Sequence, residues 1–193
     1  MILRRATRAD AEALARLHAE ALPASLLTEL GHAAIVRYYL YVEASAHEQG
    51  WVAFDQGTVV GGLVITDDPG GVLGRFARHA PVALAGELAR GLARPRLRAR
   101  FRRRFGERSD APHAPEVTQI FTDARCRGRG IGAALLRACE DALRSRGVRS
   151  YFVHTERDDN DAGIRFYQRE GFVTIGASRS FGTEFHVMQK DLA

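Results

Sequence analysis

The chain has 193 residues, 46% apolar and 26% charged, enough for one globular domain with a substantial core. Its apolar runs, such as residues 59–65, fall far short of the roughly 18 residues of a membrane span, and its two cysteines make neither a disulfide framework nor a metal-ligand spacing. The net charge of +5 is local: residues 94–108 hold eight Arg and one Glu, and the remaining residues sum to −2, so charge implies no general nucleic-acid surface.

The opening MILRRATRADAEAL has no apolar signal core, so a reducing cytoplasm is the expected compartment. Residues 2–7 read as a short strand. Thr7 with Asp10 three residues on resembles a capping box, and Leu14, Leu17 and Ala21 stripe a helix over 8–21 that Pro23 ends. Leu26, Leu30, Val36, Tyr39 and Leu40 predict a second helix over 26–46. Two β-rich runs joined at Gln56-Gly57 read as a hairpin, followed by a turn at 67–71. Leu84, Leu88 and Leu92, then Leu97, Phe101 and Phe105, recur every four residues and favour helices in 72–108. Beyond them come a strand over 116–122, a glycine loop, a helix to 146, a strand over 148–155, a helix over 161–170, and strands near 172–177 and 183–190. The expected class is α+β, with a βαβ core in the second half and no internal repeat.

The loop RCRGRGIGAALL (125–136) carries the chemistry. Gly128, Gly130 and Gly132 let backbone approach a ligand closely, and the helix starting at Ile131 aims free N–H groups and its positive dipole end at the loop. An anion is the expected occupant. A P-loop is excluded, because the only Lys is Lys190 and none follows the last glycine. A dinucleotide fingerprint matches at Gly128, Gly130 and Ala133 with Glu156 after the next strand, yet only 37 residues follow Glu156, too few for a doubly wound sheet.

Further on, Asn160, Ala162, Tyr167, Gly171 and Phe172 fall in an N-x-A-x4-Y-x3-G-F pattern. With Arg127-x-x-Gly130-x-Gly132 before it, the chain resembles the GCN5-related N-acetyltransferase (GNAT) superfamily over nearly its whole length, residues 72–115 excepted. The resemblance implies a single domain over 1–193: a mixed, mostly antiparallel twisted sheet of 6–7 strands flanked by helices, with a helical insertion at 72–110. It implies acetyl-CoA as acyl donor, no metal, and direct transfer to a primary amine on a small molecule or peptide. Arg127, Gly128, Arg129, Gly130, Ile131 and Gly132 would bind the pyrophosphate, the arginines by charge-assisted contacts. The backbone of Phe121 and Thr122 would meet the acetyl-pantetheine arm. Tyr167 would protonate the leaving thiolate, and Asn160 would contact the cofactor or cap its helix.

Glu116 and His154 are the candidate general bases, beside a water relay without a dedicated base. Glu156, on the same strand as His154, is also placed to face the cleft. The other histidines are scattered without metal spacing. The segment 94–108 reads as an amphipathic helix with solvated arginines, as a nucleic-acid-binding element, or as a cover whose arginines select an anionic acceptor. A different class of function stays open at this point: a non-catalytic acyl-CoA-binding or nucleic-acid-associated module on the same fold.

Overall fold

The protein is described by a computed structural model covering residues 1–93, 95, 98, 112–180 and 182–192. Strand β1 (Ile2–Arg5) leads through a 3-10 turn to helix α1 (Ala11–Ala21), and α2 (Leu26–Leu30) and α3 (His32–Ala44) follow. The hairpin β2 (Glu48–Asp55) and β3 (Thr58–Thr66) precedes α4 (Val72–His79) and α5 (Pro81–Leu92). Then come β4 (Glu116–Thr122), α6 (Ile131–Arg144), β5 (Ser150–Glu156), α7 (Asp161–Arg169), β6 (Val173–Ser180) and β7 (Thr183–Asp191). The strands form one seven-stranded sheet in the order β1-β2-β3-β4-β5-β7-β6, antiparallel except for the β4–β5 pair.

Local chemistry explains most boundaries. Asp10 accepts hydrogen bonds from the N–H and Oγ1 of Thr7 and a bidentate contact from Arg4, which fixes the start of α1. The predicted helix over 26–46 is two helices, because Gly31 at φ +112 ends α2 and donates its N–H to the carbonyls of Leu27 and Thr28. Gln56 and Gly57, at φ +49 and +77, make the primed turn that suits a twisted hairpin. Helices α4 and α5 lie within the segment expected to be helical. Arg75 ties α4 to the sheet through the buried carboxylate of Glu48, which Tyr41, Ser45 and Thr66 also hydrogen-bond. Leu97, Phe101, Phe105 and the arginines of 94–108 other than Arg98 lie outside the described residues, and so do the alternatives read for that segment.

The sheet separates two cores. One face packs Trp51, Leu63, Ile65, Val117, Tyr151 and Val153 against Ile131, Leu135, Leu136, Cys139 and Leu143 of α6. The other packs Val52, Val64 and Phe121 against Leu14, Ile35, Tyr38 and Tyr39 of α1 and α3. Gly61 and Gly62 permit this close packing. A Cβ on Gly61 would lie 3.0 Å from Ile131, and one on Gly62 would lie 2.7 Å from the Phe121 ring.

Candidate active site

Two irregularities in β4 shape the candidate site. The first is a bulge: Val117 pairs with Ile65 and Gln119 with Val64, so Thr118 is one residue too many for the ladder. Side chains on either side of it change phase. Val117 and Ile120 join the α6-side core, whereas Thr118 and Gln119 both point at α3, reaching the hydroxyls of Tyr38 (3.5 Å) and Tyr39 (3.1 Å). The second irregularity is a split. β4 and β5 pair only at Glu116↔Phe152 and Val117↔Val153, and the remainder of β4 has no β5 partner.

The backbone polarity of the unpaired stretch follows from alternation. The N–H of Asp123 donates to Val60 O at 2.9 Å, so Phe121 also turns its N–H and C=O toward β3. Those of Ile120 and Thr122 face the open edge. Of the two residues predicted to meet a pantetheine arm, Thr122 presents backbone groups to the split. Phe121 places its backbone in the β3 ladder and its ring 5.5 Å from that of His18.

The glycine loop stands at the end of this open edge. Asp123 accepts from the N–H of Arg125 at 2.8 Å and pairs with its guanidinium, which holds the Asp123 carboxyl down to about 2. That contact closes a 3-10 turn at Ala124–Cys126. Gly128 and Gly130 then adopt φ +77 and +73, where L side chains are disfavoured. Gly130 begins α6: its carbonyl receives the N–H of Ala134, so the N–H groups of Ile131, Gly132 and Ala133 have no partner within the helix. Arg127 is exposed, and its guanidinium makes no hydrogen bond or ion pair among the described residues. Arg129 is engaged by Asp55 at 2.8 Å. A Cβ on Gly132 would sit 3.2 Å from Phe166 and 3.9 Å from Ile120, so loop, α7 and open edge converge there.

Tyr167 lies one residue beyond Phe166, with its ring among Phe166 and Phe172 at 5.2 and 5.3 Å. Burial pushes its phenol far above the usual range, which keeps the hydroxyl protonated. Asn160 occupies the N-cap of α7 but makes no capping bond. Its Nδ2 donates instead to Thr155 Oγ1 at 2.8 Å and to the carbonyl of Glu156 at 3.1 Å, bracing the turn after β5.

Glu116 and His154, predicted as rival bases, form one pair: Oε1 to Nδ1 is 2.9 Å, with both side chains partly exposed. A charged Glu116 accepts from Nδ1–H and leaves the Nε2 lone pair available. Glu156, at the far end of β5, is exposed.

Sequence reading missed a polar chain behind the bulge. His18 is fully buried under α1. Its Nε2 meets Ser25 Oγ and its Nδ1 meets the Tyr39 hydroxyl, both at 2.9 Å, and Tyr39 donates to Gln119 Oε1. Burial lowers the imidazole to about 4, so it is neutral near pH 7. The Leu14, Leu17 and Ala21 stripe hid His18, which reads from spacing alone as one more helix residue. Among the described residues no three His, Cys, Asp or Glu side chains are grouped to hold a metal, and no helix is long and apolar enough to cross a membrane.

The chain is similar to known proteins in sequence and in fold. The model of the Acetyltransferase (GNAT) family matches residues 11–172. N-alpha-acetyltransferase RimI of Mycobacterium tuberculosis (strain ATCC 25618 / H37Rv) is 38% identical over 85 residues, which are 42% of this chain and 51% of that protein. The match thus spans about half the length of that relative. Two solved structures share the fold. An aminoglycoside 6'-N-acetyltransferase complexed with coenzyme A has TM-score 0.67 and 13% identity, with 100% of this chain and 98% of the other covered. The PaiA N-acetyltransferase from Thermoplasma acidophilum, in complex with coenzyme A, has TM-score 0.64 and 13% identity, with 98% of each chain covered. The chain belongs to the Acetyltransferase (GNAT) family, and its seven-stranded sheet is the fold of that family. The acyl donor of this family is acetyl-CoA.

Proposed function

We propose that the protein transfers an acetyl group from acetyl-CoA to a primary amine by direct attack, with no covalent enzyme intermediate. The observation that carries this reading is the juxtaposition of an unpaired β4 edge with a left-handed glycine loop at the N-terminus of α6. The donor supplies a thioester whose acyl carbon is open to an amine.

The chain's own groups divide the work. Arg127 and the N–H groups of Ile131, Gly132 and Ala133 hold the pyrophosphate, and Gly128 and Gly130 let the backbone reach it. Arg129 joins them by exchanging Asp55 for a phosphate oxygen. The open edge at Ile120 and Thr122 offers N–H groups to the acyl arm and to the carbonyl oxygen on which negative charge develops. The Glu116–His154 pair accepts the proton that an amine of pKa near 10 must lose. Tyr167, held protonated, donates to the departing thiolate. Asn160 acts through the turn that it braces.

The name of the RimI relative makes peptide α-amines the first acceptors to try. The test is thiol release from acetyl-CoA with peptides, polyamines, amino sugars and aminoglycosides as acceptors. Turnover with one class supports the reading. Binding of acetyl-CoA without turnover on any amine overturns it in favour of a non-catalytic acyl-CoA module.

A further inference from the structure

We infer that Gln119 is an acceptor-specificity residue: its amide N–H groups hydrogen-bond a carbonyl oxygen of the acceptor, and the buried chain Ser25–His18–Tyr39 fixes the amide in that orientation. This rests on the N-acetyltransferase reading above and narrows the acceptor to amines with a carbonyl a few bonds away, as in a peptide N-terminus.

With Tyr39 donating to Gln119, the donors and acceptors along the chain run in one direction. Thr28 Oγ1 donates to the carbonyl of Leu22, and the N–H of Thr28 donates to Ser25 Oγ. Ser25 Oγ lies 2.9 Å from both Thr28 Oγ1 and His18 Nε2, and because Tyr39 gives its hydrogen to Gln119, Nδ1 must donate to Tyr39 and Ser25 gives its hydrogen to Nε2. A neutral imidazole that accepts at Nε2 carries its hydrogen at Nδ1, and Nδ1–H then donates to the Tyr39 hydroxyl. Tyr39 in turn donates to Gln119 Oε1. Each step polarises the next in the same sense. At its end the carbonyl side of the Gln119 amide is held, and its NH2 side has no protein partner among the described residues.

Placement points to the acceptor. The bulge at Thr118 puts Gln119 on the α1–α3 face of the sheet, the face that also carries Glu116 and His154. Gln119 immediately precedes Ile120, the first residue whose backbone faces the open edge. Its side chain is partly exposed, so a substrate can reach it. Donors on this face and an acyl site at the strand edge fit an acceptor whose amine enters the split while its carbonyl stays beside β4. The chain also starts from Ser25, the cap of α2, so the order of the α1–α2 connection bears on the same amide.

The experiment compares two acceptors of equal amine basicity, a dipeptide amide and an alkyl amine without a carbonyl, in wild type, Gln119→Glu and Tyr39→Phe. Gln119→Glu keeps an acceptor for Tyr39 and removes the donor; Tyr39→Phe keeps the donor and releases its orientation. The kcat/KM ratio of dipeptide to alkyl amine is expected to fall about tenfold in Gln119→Glu and by a smaller factor in Tyr39→Phe, through acceptor KM, with KM for acetyl-CoA unmoved. One neutral hydrogen bond at the upper end of its usual range corresponds to that factor. If Gln119→Glu fails to fold by thermal unfolding, the Tyr39→Phe ratio decides. A ratio within twofold of wild type overturns the inference and leaves the acetyltransferase reading standing. Wild-type inactivity on both amines overturns the two together.

Discussion

Tyr167 shows how one side chain acquires its role from its surroundings. Packed between Phe166 and Phe172, its hydroxyl stays protonated at any working pH. In the proposed role of donor to the thiolate it would contribute in the transition state more than in binding. Tyr167→Phe is therefore expected to lower kcat by about a hundredfold or more while the KM for acetyl-CoA changes by less than threefold, as read by thiol release. An equal loss in both would assign Tyr167 to packing. His18 makes a different prediction, about stability. Its imidazole titrates near 4 when folded and near 6.5 when unfolded, so between these values the unfolded chain binds the extra proton and stability falls as pH falls. The contribution is fully present above about pH 6.5 and lost by about pH 4, for a total of about 3 kcal/mol. His18→Gln should flatten that part of a denaturant-midpoint profile against pH. An unchanged slope would place the titration elsewhere.

At the scale of elements, one inserted residue and a few glycines decide the geometry. Without the Thr118 bulge the alternation of β4 would carry Phe121 and Gln119 to the α6 face, a two-sided exchange of core for cleft. The glycine loop depends on backbone conformation more than on space. A Cβ at Gly130 meets nothing within 4 Å, but φ +73 is costly for an L residue. Gly130→Ala should lower stability by about 1–2 kcal/mol and raise the KM for acetyl-CoA, with kcat at saturation less affected. Gly62→Ala tests the opposite case. Its Cβ would fall 2.7 Å from Phe121 and 2.8 Å from Leu14, an overpacking cost of about 1–3 kcal/mol that calorimetry should register without an added effect on acetyl-CoA affinity.

Across the whole molecule, the function proposed above would place donor chemistry and acceptor chemistry on opposite faces of one sheet. The α6 side carries the glycine loop, and the α1–α3 side carries the polar groups Glu116, His154, Gln119 and Tyr38. The open edge of β4 connects them. Helix α4, locked to Glu48 by Arg75, packs against the α1–α3 side through Phe76.

What the residue order alone determined was local and periodic. The βαβ unit, the hairpin at Gln56-Gly57 and the strand over 116–122 were legible because they rest on alternation, helical spacing and turn chemistry between near neighbours. So was the glycine loop before a helix, because it is built from consecutive residues. Tertiary structure decided the rest. Nothing in the spacing announces that Thr118 is one residue too many, since a bulge is defined only against the register of β3. Glu116 and His154 were separate candidates 38 residues apart until parallel pairing of β4 and β5 set them side by side. His18, Tyr39 and Gln119 lie on three elements, and their hydrogen bonds exist only where a helix, a second helix and a bulged strand pack together. A motif written in consecutive residues can be read before folding. A hydrogen bond between distant ones is decided by packing.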